Sequence, residues 1–169
     1  SRGLGDVYKR QIYMSAVNDN EKAIILGGQT SNSPFAHTAN NQAFSLSSEG
    51  EAQQHSSLRT ASYLNYSCND LSKLFVHYGY DSGPTTTVDT MSFAAGETST
   101  NYCSLTHGYG GAMASDGNGS GIAAGGYGMG GSYHNSSITK FNLEDNSTLQ
   151  MWQTLNQARH HHSGASGNG

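Results

Sequence analysis

Apolar and small residues come in short runs broken by Asn, Asp and Gly, and no long stretch places them at helical spacing. Short runs bounded by turn residues predict β-strands. The pattern also recurs. Residues 13–28, 64–79 and 111–126 line up without gaps over sixteen positions and end on Gly28, Gly79 and Gly126, giving periods of 51 and 47 residues. Each copy opens on a strand with MSAV, YSC or AMAS at its core. A turn follows at Asn18-Asp19, Asn69-Asp70 or Asp116-Gly117-Asn118-Gly119, residue types that tolerate the positive φ of tight hairpins. A second strand then runs to the glycine, over 23–26, 74–77 and 122–124. After a polar loop of variable length come a third strand (42–46, 88–93, 138–143) and a fourth (53–58, 101–105, 150–155). Leu58-Arg59 follows in one copy and Ala158-Arg159 in another, and a further first strand is expected from His161.

Four short strands in a repeat of about 40 to 50 residues make the sheet of one propeller blade. The expected fold is therefore all-β: a β-propeller of about three four-stranded antiparallel blades, with units 13–63, 64–110 and 111–160 and the start of a fourth at 161–169. Rings need about 4 to 8 blades. The expectation is a piece of a longer propeller, partnered by missing blades of the same chain.

The third copy resembles a kelch repeat. It runs into Gly125-Gly126, has Phe141 where that family usually places Tyr, then Trp152, Leu155 and Arg159. The first copy keeps Gly27-Gly28 and Phe44 but lacks the Trp, and the second has Tyr78-Gly79 for the double glycine and Phe93 near the aromatic position. The resemblance implies loops at one end of a ring that hold a ligand. The low-charge, Gly/Ser/Asn/Thr-rich style also resembles propellers in phage tail or surface proteins from environmental sequences, which points to an extracellular or virion surface.

Composition and charge narrow the reading. Charged residues are 12% and hydrophobic residues 34% of the chain, unlike the highly charged, apolar-poor profile of disordered segments. The run DVYKRQ at 6–11 resembles the translation of a transposon end used in sequencing libraries, so residues 1–11 are set aside as an artefactual or disordered tail. Beyond it stand 5 basic and 11 acidic residues, a net −6. With no basic stripe, nucleic-acid binding is not expected. No apolar run approaches the roughly 18 residues of a membrane helix.

The candidate chemistry is sparse. Gly126, Gly128 and Gly131 spell a dinucleotide fingerprint, but the β-branched, polar SYHNSSITKFNL after them does not open the helix that chemistry needs. His160 and His162 would share a face of a strand and could hold a metal if another ligand joined them; the sequence names none. Cys68 and Cys103 define no disulfide framework. No catalytic residue, metal or cofactor is expected. The ligand-binding loops are 29–40, 80–87 and 127–137, carrying His37, Tyr80, Tyr127, Tyr133 and His134, side chains suited to stacking on sugars or peptides. These features predict a non-catalytic module recognising a protein or a cell-surface glycan. The alternative is a propeller scaffold of an oxidase-type enzyme with a metal at the ring axis.

Overall fold

The computed structural model describes residues 13–32, 35–70, 72–106, 108–128, 134–145 and 149–165, so the tail 1–11 and Tyr133 lie outside it. Among the described residues every regular element is a strand. These are β1 (Ser15–Asn18), β2 (Lys22–Leu26), β3 (Gly28–Asn32), β4 (Phe35–Thr38), β5 (Asn40–Ser45), β6 (Gln53–Ser57), β7 (Tyr66–Asn69), β8 (Lys73–His77), β9 (Thr87–Ser92), β10 (Thr100–Ser104), β11 (Ala112–Ser115), β12 (Ser120–Ala124), β13 (Ser137–Asn142) and β14 (Leu149–Thr154). Three antiparallel sheets, ordered β1-β2-β5-β6, β7-β8-β9-β10 and β11-β12-β13-β14, are the blades. Their first strands lie side by side, β1 against β7 and β7 against β11. The blades thus radiate from a shared inner edge, and among the described residues they form an arc of a β-propeller that does not close into a ring.

Each inner hairpin turns on an aspartate. Asp19 Oδ1 accepts from the amides of Glu21 and Lys22, Asp70 Oδ1 from those of Ser72 and Lys73, and Asp116 Oδ1 from those of Asn118 and Ser120. A carboxylate binding backbone amides ahead of it sets the turn without help from the core. Asp70→Ala is expected to cost about 1 kcal/mol, read as a lower urea midpoint at unchanged slope.

The third hairpin corrects the gapless alignment. Val17 faces Ile24 and Cys68 faces Phe75, but Ala114, not Ser115, faces Ile122. The first two turns close from the Asp amide to the carbonyl three residues on, the third to the one four on, at Ser120. One extra turn residue shifts β11, so that Tyr13, Leu64, Gly110 and His161 become equivalent. All four have positive φ, at 57°, 57°, 70° and 54°, although only glycine enters that region without steric cost. The amide of Leu64 donates to the Tyr13 carbonyl, and that of His161 to the Gly110 carbonyl. The left-handed residue is the corner from which β1, β7 and β11 set out, whereas after His161 residues 162–165 form no strand, so the further first strand expected there is not seen among the described residues.

A second correction concerns the loop 29–40. It carries β3 and β4, paired with each other only. The segment is long enough to fold back on itself, and its strands need no buried alternation because they join no blade.

The core lies between blades. Val17, Ile24 and Leu26 of the first meet Leu74, Val76, Tyr78, Met91 and Phe93 of the second. Tyr66, Cys68, Phe75 and Val88 of the second meet Met113, Ala123, Phe141 and Leu143 of the third. Residues 74–77 of β8 are all buried because that strand is covered on both faces. Phe141 faces Gly121 across β12 and β13, Met91 faces Leu74, and Phe44 faces Ala23, so these pairs are equivalent. Met91 therefore holds the aromatic position in the second copy, and Phe93 matches Leu143.

A polar tie also spans the first two blades. Arg59, in the connection between them, grips the fully buried Asp89 through Nε (3.1 Å) and Nη2 (2.8 Å). Tyr78 Oη (2.7 Å) and Ser99 Oγ (2.8 Å) donate to the same carboxylate.

Candidate functional site

The corner residues expose a column of rings at one end of the arc. Immediately before three of the corners stand Tyr63, Tyr109 and His160. Following the glycines that end β8 and β12 stand Tyr80 and Tyr127. Within each copy the two positions are tied by backbone: Tyr63 and Tyr80 exchange both amide–carbonyl bonds, at 3.1 and 2.9 Å, and the Tyr127 amide donates to the Tyr109 carbonyl at 2.8 Å.

The rings then touch in series. Tyr63 lies 5.4 Å from Tyr80, Tyr80 5.5 Å edge-on from Tyr109, Tyr109 4.4 Å stacked on Tyr127, and Tyr127 4.3 Å from His160. His37, carried by β4, stacks on Tyr63 at 4.4 Å, and Tyr13 stands 6.2 Å from Tyr63. At the other end His134 stacks on His160 at 4.5 Å, with His161 4.7 Å from His160. The belt runs across all three blades and onto the connection after the third. Stacked rings fix one another's rotamers, so the surface is ordered before any ligand arrives.

Two groups of the belt are held toward their neutral forms. Burial, then the hydroxyls of Tyr80, Tyr109 and Tyr13, push the Tyr63 phenol above its ordinary range. Burial, then His161, His134 and His162, hold the His160 imidazole below its ordinary value. No carboxylate, ammonium or guanidinium belongs to the chain of ring contacts.

The structure thus brings four of the expected loop residues, His37, Tyr80, Tyr127 and His134, into one surface. Tyr63, Tyr109, His160 and Tyr13 are its unforeseen members. Their signal lies in the repeat: aligned on the left-handed corner, Tyr63, Tyr109 and His160 fall in one column. The glycines lie behind the belt. Gly27, Gly28, Gly125 and Gly126 all have positive φ, whereas Gly79 packs against the Leu64 carbonyl with no room for a Cβ. Phe141 is buried between blades, and Trp152 is 49% exposed with the Lys140 ammonium 5.9 Å over its ring. Arg159 does not stand where Arg59 does: its carbonyl accepts from the Gly126 amide as that of Ser62 accepts from Gly28, which makes Arg159 the counterpart of Ser62.

A concave surface follows the inner strands. Residues 14–16, 65–67 and 111–113, equivalent triplets of the three blades, and residues 162–164 line a groove of about 300 Å³. Among the described residues no group of three or more His, Cys, Asp or Glu is placed to hold a metal. Cys68 and Cys103 are free thiols, and burial pushes Cys103 up to about 11.

An arc of four-stranded blades around a shared inner edge defines the chain as a β-propeller protein. Among solved structures it is similar to one described as "Structure of YjhT", at a TM-score of 0.69 and 15% identity, over 90% of this chain and 58% of that one. The chain therefore spans a little over half the length of that neighbour, and at this identity the likeness concerns the fold. No family profile and no curated protein matches the sequence.

Proposed function

We propose that the chain is a non-catalytic recognition module of a kelch-like propeller and that the aromatic belt is its contact surface. The observation that carries this reading is the unbroken series of ring contacts from Tyr13 to His161 across every blade. Packing alone needs no such column on the surface, and half-buried tyrosines are side chains that bind at low entropic cost. The absence of carboxylate, ammonium and guanidinium groups from the described ring contacts of the belt favours a glycan, and a protein ligand is the other outcome of the same test.

The purified chain is applied to a glycan array and to a displayed peptide library. A saturable glycan ligand is expected, weakened at least about tenfold by Tyr109→Ala or Tyr127→Ala. Binding confined to peptides would replace the glycan reading. The belt assignment is lost if neither probe binds saturably or if both variants bind as the parent does.

The flank of the third blade supports a larger ring. The amides of Leu58, Leu105 and Leu155 bond to the carbonyls of Ala39, Thr86 and Ser136, so these leucines are equivalent, as are His55, Tyr102 and Trp152 three residues earlier. His55 Nε2 lies 3.0 Å from the Phe93 carbonyl and Tyr102 Oη 2.7 Å from that of Asn142, each reaching the next blade. Trp152 stands in the same place on the third blade, half exposed. A further blade of the same kind fits this flank.

A further inference from the structure

We propose that the belt binds a neutral polysaccharide chain lying across the blades, and not a single terminal sugar. The proposal rests on the reading of the belt as a glycan surface and adds the ligand's length, charge and direction.

The belt repeats with the fold. Tyr63 and Tyr109 each precede a left-handed corner, at Leu64 and Gly110, and Tyr80 and Tyr127 each follow a glycine, Gly79 and Gly126. The Tyr80 amide donates to the Tyr63 carbonyl at 2.9 Å, and the Tyr127 amide to the Tyr109 carbonyl at 2.8 Å. The two tyrosine pairs are therefore one platform built twice, displaced by one step of the arc. They also meet: Tyr80 of one pair touches Tyr109 of the other at 5.5 Å. All four rings are partly exposed. His160 takes the Tyr63 position once more, 4.3 Å from Tyr127. Equivalent platforms in contact suit a ligand that is itself a repeat. Each added unit meets the chemistry the previous one met, and it binds without a second loss of translational freedom. A single sugar uses one platform and leaves the other idle. The ring contacts hold no ammonium or guanidinium to pair with an acidic sugar. The chain beyond residue 11 also carries a net −6, which repels a polyanion.

The test is calorimetric titration of the full chain with neutral glucan, mannan and galactan oligosaccharides from disaccharide to octasaccharide, and with a uronic-acid octasaccharide. At least one neutral series is expected to gain about tenfold or more in affinity from its shortest to its longest member, and the acidic chain to bind at least about tenfold more weakly than the best neutral one. Tyr63→Ala removes half of one platform and leaves the other whole. It should weaken the octasaccharide by about tenfold and change the disaccharide by no more than about twofold. A variant that merely loosened the fold would lower both lengths alike. The proposal is overturned if no neutral octasaccharide binds saturably, if affinity is flat with length, if the acidic chain binds tighter, or if Tyr63→Ala weakens both lengths equally. The glycan array separates this failure from failure of the belt: a short glycan held as tightly as a long one, and lost in Tyr109→Ala, keeps the belt as the contact surface and removes only the extended chain.

Discussion

Phe141→Ala is expected to destabilise the protein by about 3–5 kcal/mol. Phe141 is 2% exposed and fills the joint between the second and third blades, edge-on to Phe75 at 6.4 Å. The cost falls at the upper end because nothing can refill the space. The residue facing it is Gly121, whose missing side chain is what lets the ring lie flat across β12. In the second blade the same joint position is built the other way, with Leu74 facing Met91 and the bulk shared between strands. Chemical unfolding followed by circular dichroism measures the loss; Trp152, already half exposed, is a poor reporter. Gly121→Leu alone should also destabilise, since a Cβ there meets the Phe141 ring. The double variant Gly121→Leu/Phe141→Met copies the second blade's pair and should cost less than the sum of its parts. A Phe141→Ala loss below about 1 kcal/mol would show that the blades do not depend on this joint.

The same comparison shows why some features can be read from the chain and others cannot. The hairpins are legible because Asp19, Asp70 and Asp116 announce their turns in local chemistry. The third and fourth strands are legible to within one or two residues because small and apolar runs alternate with polar loops. The shift of β11 is not, because GAMAS offers alanine at both 112 and 114, and either register puts a small residue on each face. β3 and β4 stay hidden because strands that pair only with each other bury no alternating stripe. Tyr80, Tyr127 and His134 stand out as aromatic residues in polar loops. Tyr63 and His160 do not, because their place depends on a left-handed corner that Leu64 and His161 adopt against their intrinsic preference, and only packing imposes it. The contact between His134 and His160 is illegible for a different reason. Sequence groups His160 with His161 and His162, its neighbours, whereas the nitrogen that meets it belongs to His134, brought there by the β13 loop.

Arg59→Ala is expected to cost about 2–3 kcal/mol at neutral pH, and the cost should shrink in acid. Burial alone would push the Asp89 carboxyl up, but the bonds from Arg59, Tyr78 and Ser99 outweigh it and hold the group below its ordinary range. A carboxylate depressed on folding adds stability that is complete above its unfolded value of about 3.9 and is lost as pH falls through the folded one. Without the guanidinium the buried charge keeps only two neutral donors, and its folded value rises above the unfolded one. The sign then reverses: the variant's penalty is full at neutral pH and is relieved as the folded carboxyl takes up its proton. Urea midpoints at pH 7 and near pH 4 should therefore differ more between parent and variant at the higher pH. Arg59→Ala/Asp89→Asn removes the stranded charge while keeping an oxygen for Tyr78 and Ser99, so it should recover part of the loss and flatten its pH dependence. A penalty equal at both pH values, and unrelieved in the double variant, would mean that Arg59 acts through its packing on the Tyr78 ring, 5.9 Å away, and not through its charge. Because Arg59 sits in the connection and Asp89 inside the second blade, the first outcome would also show that the step from one blade to the next is fixed by this ion pair as well as by apolar contact.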